Sequence, residues 1–522
     1  MHRRCPAGAR RQKTAAAFAC VIGSLALAGL AAAAAAGCAS PLRFPSAAVS
    51  GTDAPAGLVQ AYDTGGAKRP DYYTTQNADG RKYLIGYDPG RRGEPASVVN
   101  LDEVPTAGAQ QIVFIIDGVG YEVVEQFRKE GRLRLFHPPA RVISTFPAMT
   151  DIALADVFRS VPCIGLEARY FDHAANRLVG GDSDYLSMKN EDWARGCDYR
   201  ADTLIDALAY VYPDAMYNKE LDDFLKLFQR RDRPMIVAYF VATAGLGTRE
   251  GLQGQRKVLD RIDRLSEELV WRTRGLVKIT LLSDHGHTLT RAEHADFKAY
   301  LTQGGWRPGE KLERPRDVVQ VEYGYITYAS FAARERADLA KDLAVHPAVD
   351  LVTYEEGGAV AVESPAGKAL VERRAGRYRY RTVTGDPLDL GPLVDAAKKA
   401  DAGLFDADGF AEDRTWLKLT FTHRYPDALD RLWRCFHGTV EHAPDVIASL
   451  KREYYSGWQR PLYSPSIAST HGDLGLASSS AFIMSTSMPI EPRWPLLRSR
   501  DLGDVLPVLT GRPWPPARRS AP

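Results

Sequence analysis

The sequence predicts an α/β fold in which a mostly parallel central sheet is flanked by helices, with an α+β segment inserted late in the chain. Short apolar runs at 112–116, 235–241 and 277–282 are typical of fully buried strands, and an amphipathic pattern over about 252–272 predicts a helix between two of them. This alternation of strand and helix indicates a parallel sheet. Short alternating strands from about 318 to 387 indicate the insert.

The first run, QIVFIIDGVG at 111–120, ends in Asp117 followed by two glycines. A carboxylate at the C-terminal tip of a buried strand lies where open α/β sheets bind their ligands. An apolar strand that ends in Asp-Gly is also an ordinary turn. The functional interpretation of Asp117 therefore depends on partners further along the chain.

A second strand is expected at 141–146, and Thr150 then begins the helical pattern TDIALADVF. One interpretation of Thr150 is a residue that starts the helix. Another is a nucleophile held where the first amides of the helix attract an anion, and the two interpretations are compatible. The residues 160–200 are expected to form a loop region over the sheet, and 243–248 a loop after the third strand.

The N-terminus predicts export. Residues 1–38 combine arginines, an apolar run from Ala15 to Ala36 and a small-residue end, which is typical of a signal peptide. Cys38 after Ala-Gly resembles the lipidation site of a bacterial lipoprotein, although Ala35 stands where that motif usually has Leu. The alternatives are a plain cleaved signal and an uncleaved membrane anchor.

The remaining chain divides by composition. Residues 39–107 are expected to be a tether and irregular N-terminal segment, 108–317 the first part of the core, 318–415 the α+β cap, 416–512 the second part of the core, and 513–522 a Pro-rich tail.

A net charge of +2 gives no indication of a nucleic-acid-binding surface. Cys163 and Cys197 could pair, with Cys435 as a small buried residue.

Strand ends bring together residues that suit a metal. The fourth apolar run ends in Asp284-His285, and His471 stands in a later Thr-His-Gly stretch. Carboxylates and imidazoles gathered with Asp117 at one sheet edge would bind Zn²⁺, Mn²⁺ or a similar divalent ion. Each residue also has a structural reading, since Asp284 could cap a helix and His471 could be a core histidine.

Five stretches carry a family resemblance: IIDGVG, STFPAMT, LLSDHGH, THGDLG and RSRDLGDVLPVL. They resemble the alkaline phosphatase superfamily, and within it the type I phosphodiesterase/nucleotide pyrophosphatase branch, over about 108–330 and 440–512. The resemblance implies an alkaline phosphatase-like core with an inserted cap. It also implies a phosphate-ester hydrolase with a hydroxyl nucleophile and two metal ions.

The resemblance assigns Asp117, Asp284 and His285 to one metal ion and His471 to the second. Thr150 matches the nucleophile because it opens the helix, with Thr145 in the TFP stretch as the alternative. Zn²⁺ is the favoured ion and Mn²⁺ the alternative.

The chain departs from the family pattern after the third strand, where an Asp and a His normally bind the second metal. Ala244 and Thr248 stand there instead, and His287 is the candidate to fill the gap. One or two ions are therefore expected.

The sequence thus predicts an exported, membrane-anchored lipoprotein of the periplasm or cell envelope that hydrolyses a small phosphorylated substrate of the phosphodiester or nucleotide pyrophosphate type. The alternative is a non-catalytic, one-metal binding protein of the envelope on the same fold.

Overall fold

The computed structural model describes residues 44–45, 48, 58–66, 70–77, 80–86, 95–186, 190–202, 206, 208–230, 232–457 and 467–516. The predicted signal peptide, Cys38 and most of the Pro-rich tail lie outside the described residues. Within the described part of the chain, no helix is both long and apolar enough to cross a bilayer.

A six-stranded sheet forms the centre of the molecule. Across the sheet, its strands are Leu497–Arg498, Ala140–Ile143, Ser480–Ser485, Val277–Leu282, Gln110–Ile116 and Met235–Phe240. All neighbours run parallel except Ser480–Ser485, which is antiparallel to the strands on both sides. The central strands are almost entirely buried, as expected for β-branched and aromatic runs in a parallel sheet. The predicted α/β fold with a mostly parallel sheet is confirmed.

Helices connect and cover these strands. They are Tyr121–Lys129, Thr150–Phe158, Pro213–Gln229, Ala242–Glu250, Leu252–Thr273 and Leu502–Thr510. The longest buries one apolar stripe that includes Val258, Ile262, Leu265 and Leu269, at the three- and four-residue spacing of an amphipathic helix.

The loop predicted at 243–248 is wrong, because these residues lie in the helix Ala242–Glu250. The glycines that suggested a loop serve close packing instead. A Cβ on Gly245 would lie 2.1 Å from the carbonyl oxygen of Ala209, so only glycine allows this approach.

The N-terminal segment also differs from the prediction of irregular structure. Four strands form an antiparallel sheet in chain order, Leu58–Tyr62, Tyr72–Gln76, Lys82–Gly86 and Ser97–Asn100. This sheet packs on the long helix, where the hydroxyl of Tyr72 donates to the carbonyl of Glu267 at 3.2 Å. Thr74 donates to the Glu267 carboxylate at 2.8 Å.

A nine-stranded sheet contains the predicted insert. Its strands, in spatial order, are Arg307–Pro308, Asp317–Val321, Tyr328–Ala333, Val446–Leu450, Val349–Glu356, Ala359–Ser364, Gly367–Arg374, Arg377–Gly385 and Ala411–Glu412. Val446–Leu450 pairs with a strand on each side and so completes this sheet, although the predicted division placed it in the second part of the core. The helices Arg336–Ala344, Gly391–Ala400, Asp413–Thr420 and Ala428–Phe436 accompany it.

The shorter elements lie between these units. A hairpin of Arg169–Asp172 and Arg177–Gly180 and the helix Asp182–Leu186 occupy the predicted loop region. Glu293–His294, Tyr454–Gly457 and Tyr325–Ile326 form a small three-stranded sheet, and Phe297–Gln303 and Leu476–Ser479 are short helices. 3₁₀ turns cover Thr106–Gly108, Asp192–Gly196, Ala402–Leu404 and Ser499–Asp501.

The cysteines do not form the disulfide considered from the sequence. Cys163, Cys197 and Cys435 are all free thiols. Burial raises the pKa of the Cys435 thiol to about 12, which keeps it protonated and inert.

Candidate functional site

Two aspartates lie side by side at the tips of neighbouring parallel strands. Asp117 follows Gln110–Ile116 and Asp284 follows Val277–Leu282, and these strands pair directly. One carboxylate oxygen of Asp284 accepts the backbone N–H of Gly118 at 3.0 Å and that of His285 at 2.9 Å. The bond from Gly118 links the two strand tips, and the bond from His285 orients the Asp284 carboxylate.

Thr150 reaches the same point from the first turn of its helix. Its Oγ1 lies 3.4 Å from Oδ2 of Asp117 and 3.2 Å from Nε2 of His285. The helix begins after Met149, whose carbonyl accepts the N–H of Ala153 at 3.0 Å, so the amides of the first turn have no partner within the helix. A hydroxyl and a set of free amides therefore lie at one helix end.

Thr145, the alternative nucleophile, is engaged elsewhere. It is buried, and its Oγ1 donates to the carbonyl of Pro147 at 2.9 Å. Of the two threonines, the structure brings Thr150 to the carboxylates and the histidine.

His285 lies between the two carboxylates. Its Nε2 is 3.6 Å from Oδ1 of Asp117 and 3.4 Å from Oδ2 of Asp284, and its Nδ1 lies 3.0 Å from the carbonyl of Gly286. A carbonyl oxygen only accepts, so Nδ1 carries the proton and Nε2 presents its lone pair. Burial lowers the pKa of His285 to about 4, so the ring is neutral at physiological pH.

The two remaining histidines adjoin this group. The ring of His471 stacks on His285 with centroids 3.9 Å apart, and its Nδ1 lies 2.9 Å from the carbonyl of Ala148. The ring of His287 lies 5.1 Å from His471, and its Nδ1 is 3.2 Å from Oγ of Ser469. Burial lowers the pKa of both histidines, that of His471 to about 3.

One oxygen of each carboxylate lacks the partner that a buried charge requires. Oδ1 of Asp117 and Oδ2 of Asp284 are buried and have no hydrogen-bond partner among the described residues. Burial raises the pKa of both groups, and the nearby Asp284 raises that of Asp117 further. Two unpaired carboxylate oxygens beside the unprotonated Nε2 of His285 fit a divalent cation, and these ligand atoms lie within 4.8 Å of one another.

Three residues that the sequence analysis did not identify support Asp117 and its turn. The hydroxyl of Tyr239 donates to Oδ2 of Asp117 at 2.5 Å. Thr243 donates to the Asp117 carbonyl at 2.9 Å, and the Gln255 amide donates to that of Gly118 at 2.7 Å. The sequence signal that could have identified Tyr239 is its position near the end of an apolar strand, just before the residues 243–248.

Arg431 ties the loops around the site together from the helix Ala428–Phe436. Its buried guanidinium donates to the carbonyls of Thr145 at 2.8 Å, Leu474 at 3.0 Å and Pro426 at 3.1 Å. The first carbonyl belongs to the loop before Thr150 and the second to the loop that follows His471. One buried side chain thus fixes both loops.

Ala244 and Thr248 are both buried in the helix after the third strand. The backbone carbonyl of Thr248 accepts the N–H of Ala468 at 2.9 Å. Neither side chain offers a carboxylate or an imidazole to a metal.

Comparisons with known proteins give structural neighbours only. No family model matches the sequence, and no curated protein matches it. Murine and human ectonucleotide pyrophosphatase/phosphodiesterase 5 each share 12% identity over 79% of this chain and 97% of theirs, with a TM-score of 0.43. Phosphonoacetate hydrolase from Sinorhizobium meliloti 1021 shares 12% identity over 80% of this chain and 98% of its own, with a TM-score of 0.39. Scores this low assign no family.

Proposed function

We propose that the protein is a metal-dependent hydrolase of phosphate esters with Thr150 as its nucleophile. The observation that supports this most is the convergence of the Thr150 hydroxyl with Asp117, Asp284 and His285 at one buried point. The substrate class, phosphodiester or nucleotide pyrophosphate, follows from the motif resemblance.

Asp117, Asp284 and His285 would hold the divalent ion, with Zn²⁺ favoured over Mn²⁺. Such an ion lowers the pKa of a neighbouring hydroxyl and neutralises charge on a phosphoryl oxygen. Asp284 fixes the turn at Gly118, and the lone pair of His285 faces the carboxylates. The chain thus presents a preformed ligand set before any substrate binds.

In this scheme the Thr150 oxygen attacks phosphorus, the bond from phosphorus to the leaving alcohol or phosphate breaks, and the proton of the hydroxyl departs with the leaving group as a phospho-threonine ester forms. Water then attacks the same phosphorus, the bond from phosphorus to the Thr150 oxygen breaks, a phosphate monoester leaves, and a proton from the water restores the hydroxyl. The free amides at the start of the Thr150 helix stabilise the negative charge on the phosphoryl oxygens.

The cellular location of the protein is also part of this proposal. We infer an exported protein of the periplasm or cell envelope, anchored through lipid on Cys38, from the basic and apolar N-terminus. Labelling with a radioactive fatty acid tests this, since Cys38→Ala should abolish both the label and membrane association.

The test of function is hydrolysis of bis-p-nitrophenyl phosphate after addition of Zn²⁺ or Mn²⁺. Thr150→Ala should abolish turnover, Thr150→Ser should retain part of it, and Thr145→Ala, as the matched control, should remain active. Turnover that survives Thr150→Ala but not Thr145→Ala would identify Thr145, and not Thr150, as the nucleophile.

The second candidate is a non-catalytic metal-binding protein of the envelope. Ala244 and Thr248 favour it, because they leave two expected ligand positions without donors. A metal-loaded wild-type protein that hydrolyses neither phosphate, sulfate nor phosphonate esters would support this alternative.

A further inference from the structure

Phe44, the first residue that the structure describes, packs against one end of the long helix Leu252–Thr273. Its ring is 1% exposed, and the ring centroid lies 5.6 Å from that of Trp271, close to the C-terminal end of this helix. The carbonyl of the next residue, Pro45, accepts Nε of Arg264 at 3.1 Å. The N-terminal part of the chain is therefore attached to the body at Phe44.

The other end of the same helix lies at the candidate site. Gln255, in the first turn, donates its side-chain amide to the carbonyl of Gly118 at 2.7 Å. Trp271 is sixteen residues further along, so about 24 Å separate the two levels at the rise of an α-helix. The helix ends just before the amino end of Val277–Leu282, whose carboxyl end leads to the site. The site and the contact of Phe44 thus lie towards opposite ends of the central sheet.

The proposed lipid anchor leaves a short piece of chain before this contact. Cys38 precedes Phe44 by six residues, which span at most about 22 Å even when fully extended. The long helix alone has 22 residues and is therefore about 33 Å long. A bilayer that holds the lipid must lie near the amino ends of the central strands, so the body of the protein stands between this bilayer and the site.

The surface at that end suits contact with phospholipids. The turn after the helix exposes Arg274 and Leu276, the leucine to 57%. Gly275 between them packs on Val99, since a Cβ there would lie 3.1 Å from the valine side chain, and the neighbouring Val98 is 54% exposed. Arginine side chains are attracted to lipid phosphates, and apolar side chains enter the boundary of the acyl chains.

We propose that the lipid on Cys38 holds the amino ends of the central strands against the bilayer, so that the site faces away from the membrane and hydrolyses water-soluble phosphate esters rather than phospholipids of that membrane. This inference rests on the anchor and the hydrolase proposed above. The phosphate of a phospholipid would have to rise about 24 Å from the bilayer to the level of the site, which would draw its acyl chains into water.

The orientation is tested with Leu276→Cys and Leu252→Cys in the full-length lipoprotein. The two leucines form a matched pair, because they are 57% and 46% exposed and lie towards the amino ends of the strands and the site, respectively. Each variant is labelled with nitrobenzoxadiazole and reconstituted on vesicles of phosphatidylethanolamine and phosphatidylglycerol that contain a nitroxide-labelled lipid. The label at 276 should be quenched several-fold more than the label at 252. The wild type, treated alike, gives the background of its own thiols.

Equal quenching of the two labels, stronger quenching at 252, or no quenching of either would overturn the proposal. Circular dichroism establishes folding of each variant, and if one does not fold, hydrolysis by the wild type on the same vesicles decides. Bis-p-nitrophenyl phosphate should be hydrolysed there at the rate found in detergent, while the vesicle phospholipids stay intact; loss of phospholipid would overturn the proposal.

The hydrolase and the orientation fail separately. Absence of hydrolysis in detergent would reject the proposed activity, and the quenching ratio would still establish which end of the protein faces the bilayer. Hydrolysis of the soluble diester with quenching reversed between the two labels would keep the hydrolase and reject the orientation.

Discussion

Tyr239→Phe tests whether Asp117 is a metal ligand held in position by its neighbours. The Tyr239 hydroxyl donates to Oδ2 of Asp117 at 2.5 Å and leaves Oδ1 unpaired and available. The substitution removes a single oxygen from a buried ring that packs against Trp193 with centroids 5.1 Å apart. Packing should therefore be conserved while the carboxylate loses its strongest donor.

The size of the effect follows from the bond that is lost. A hydrogen bond to a buried charged group contributes about 1.5–3 kcal/mol. Loss of an outer partner of a metal ligand weakens metal binding by about 10–100-fold, which corresponds to about 1.4–2.7 kcal/mol. The two ranges agree. After the substitution, the remaining contact to the same Asp117 oxygen is the one from Thr150, which is longer, at 3.4 Å.

The assay is Zn²⁺ competition against a chromophoric chelator, which measures the dissociation constant of each variant. The matched control is Tyr217→Phe, a buried tyrosine whose hydroxyl donates to the carbonyl of Val258 at 3.2 Å, and its zinc affinity should equal that of the wild type. Equal zinc affinities for Tyr239→Phe and the wild type would refute the assignment of Asp117 as a supported ligand.

Two further predictions concern stability. Arg431→Met removes a donor from three buried carbonyls, of which only that of Leu474 keeps another bond, from the Ser479 hydroxyl at 3.2 Å. We therefore expect the free energy of unfolding in urea to fall by roughly 3–5 kcal/mol; a loss below about 1 kcal/mol would contradict the role of Arg431 in joining the two site loops. Burial raises the pKa of Glu267 from 4.5 to about 8, and Asp263 adds to the shift. The folded protein therefore holds a proton on Glu267 at pH values where the unfolded chain has lost it, so the stability that this proton contributes is complete at low pH and is lost as pH rises towards 8 and beyond. Glu267→Gln should therefore gain stability relative to the wild type by at most about 1.4 kcal/mol per pH unit between pH 5 and 8, and parallel stability curves for the two proteins would contradict this.

Four strands of the central sheet could be predicted because they are local signals, whereas Ser480–Ser485 and Leu497–Arg498 were not predicted. Each of the four is a short, almost wholly apolar run, and Asp117 and Asp284 follow such runs directly. The side-by-side position of the two aspartates then follows from parallel pairing. Thr150 could be anticipated because a helix start is also a local pattern.

Other features depend on contacts that are distant in sequence. Glycine at 245 suggested a loop, yet it permits a close approach to Ala209 that no local pattern shows. Val446–Leu450 is an ordinary strand whose sheet is decided by pairing with residues about 100 positions earlier. Arg431 lies on an amphipathic helix, and two of its acceptors, the carbonyls of Thr145 and Leu474, are far from it in sequence.

The N-terminal sheet was missed for a different reason. Its strands are four or five residues long and stand among glycines, prolines and polar residues, so alternation is too brief to detect. What stabilises them is the long helix beneath, through the contacts of Tyr72 and Thr74 with Glu267.

The most direct measurement is anomalous X-ray scattering at the zinc absorption edge from crystals of the protein loaded with Zn²⁺. The account predicts a peak within about 2.0–2.2 Å of Oδ1 of Asp117, Oδ2 of Asp284 and Nε2 of His285, with the Thr150 hydroxyl facing it. A fully loaded crystal with no anomalous peak among these atoms would contradict it.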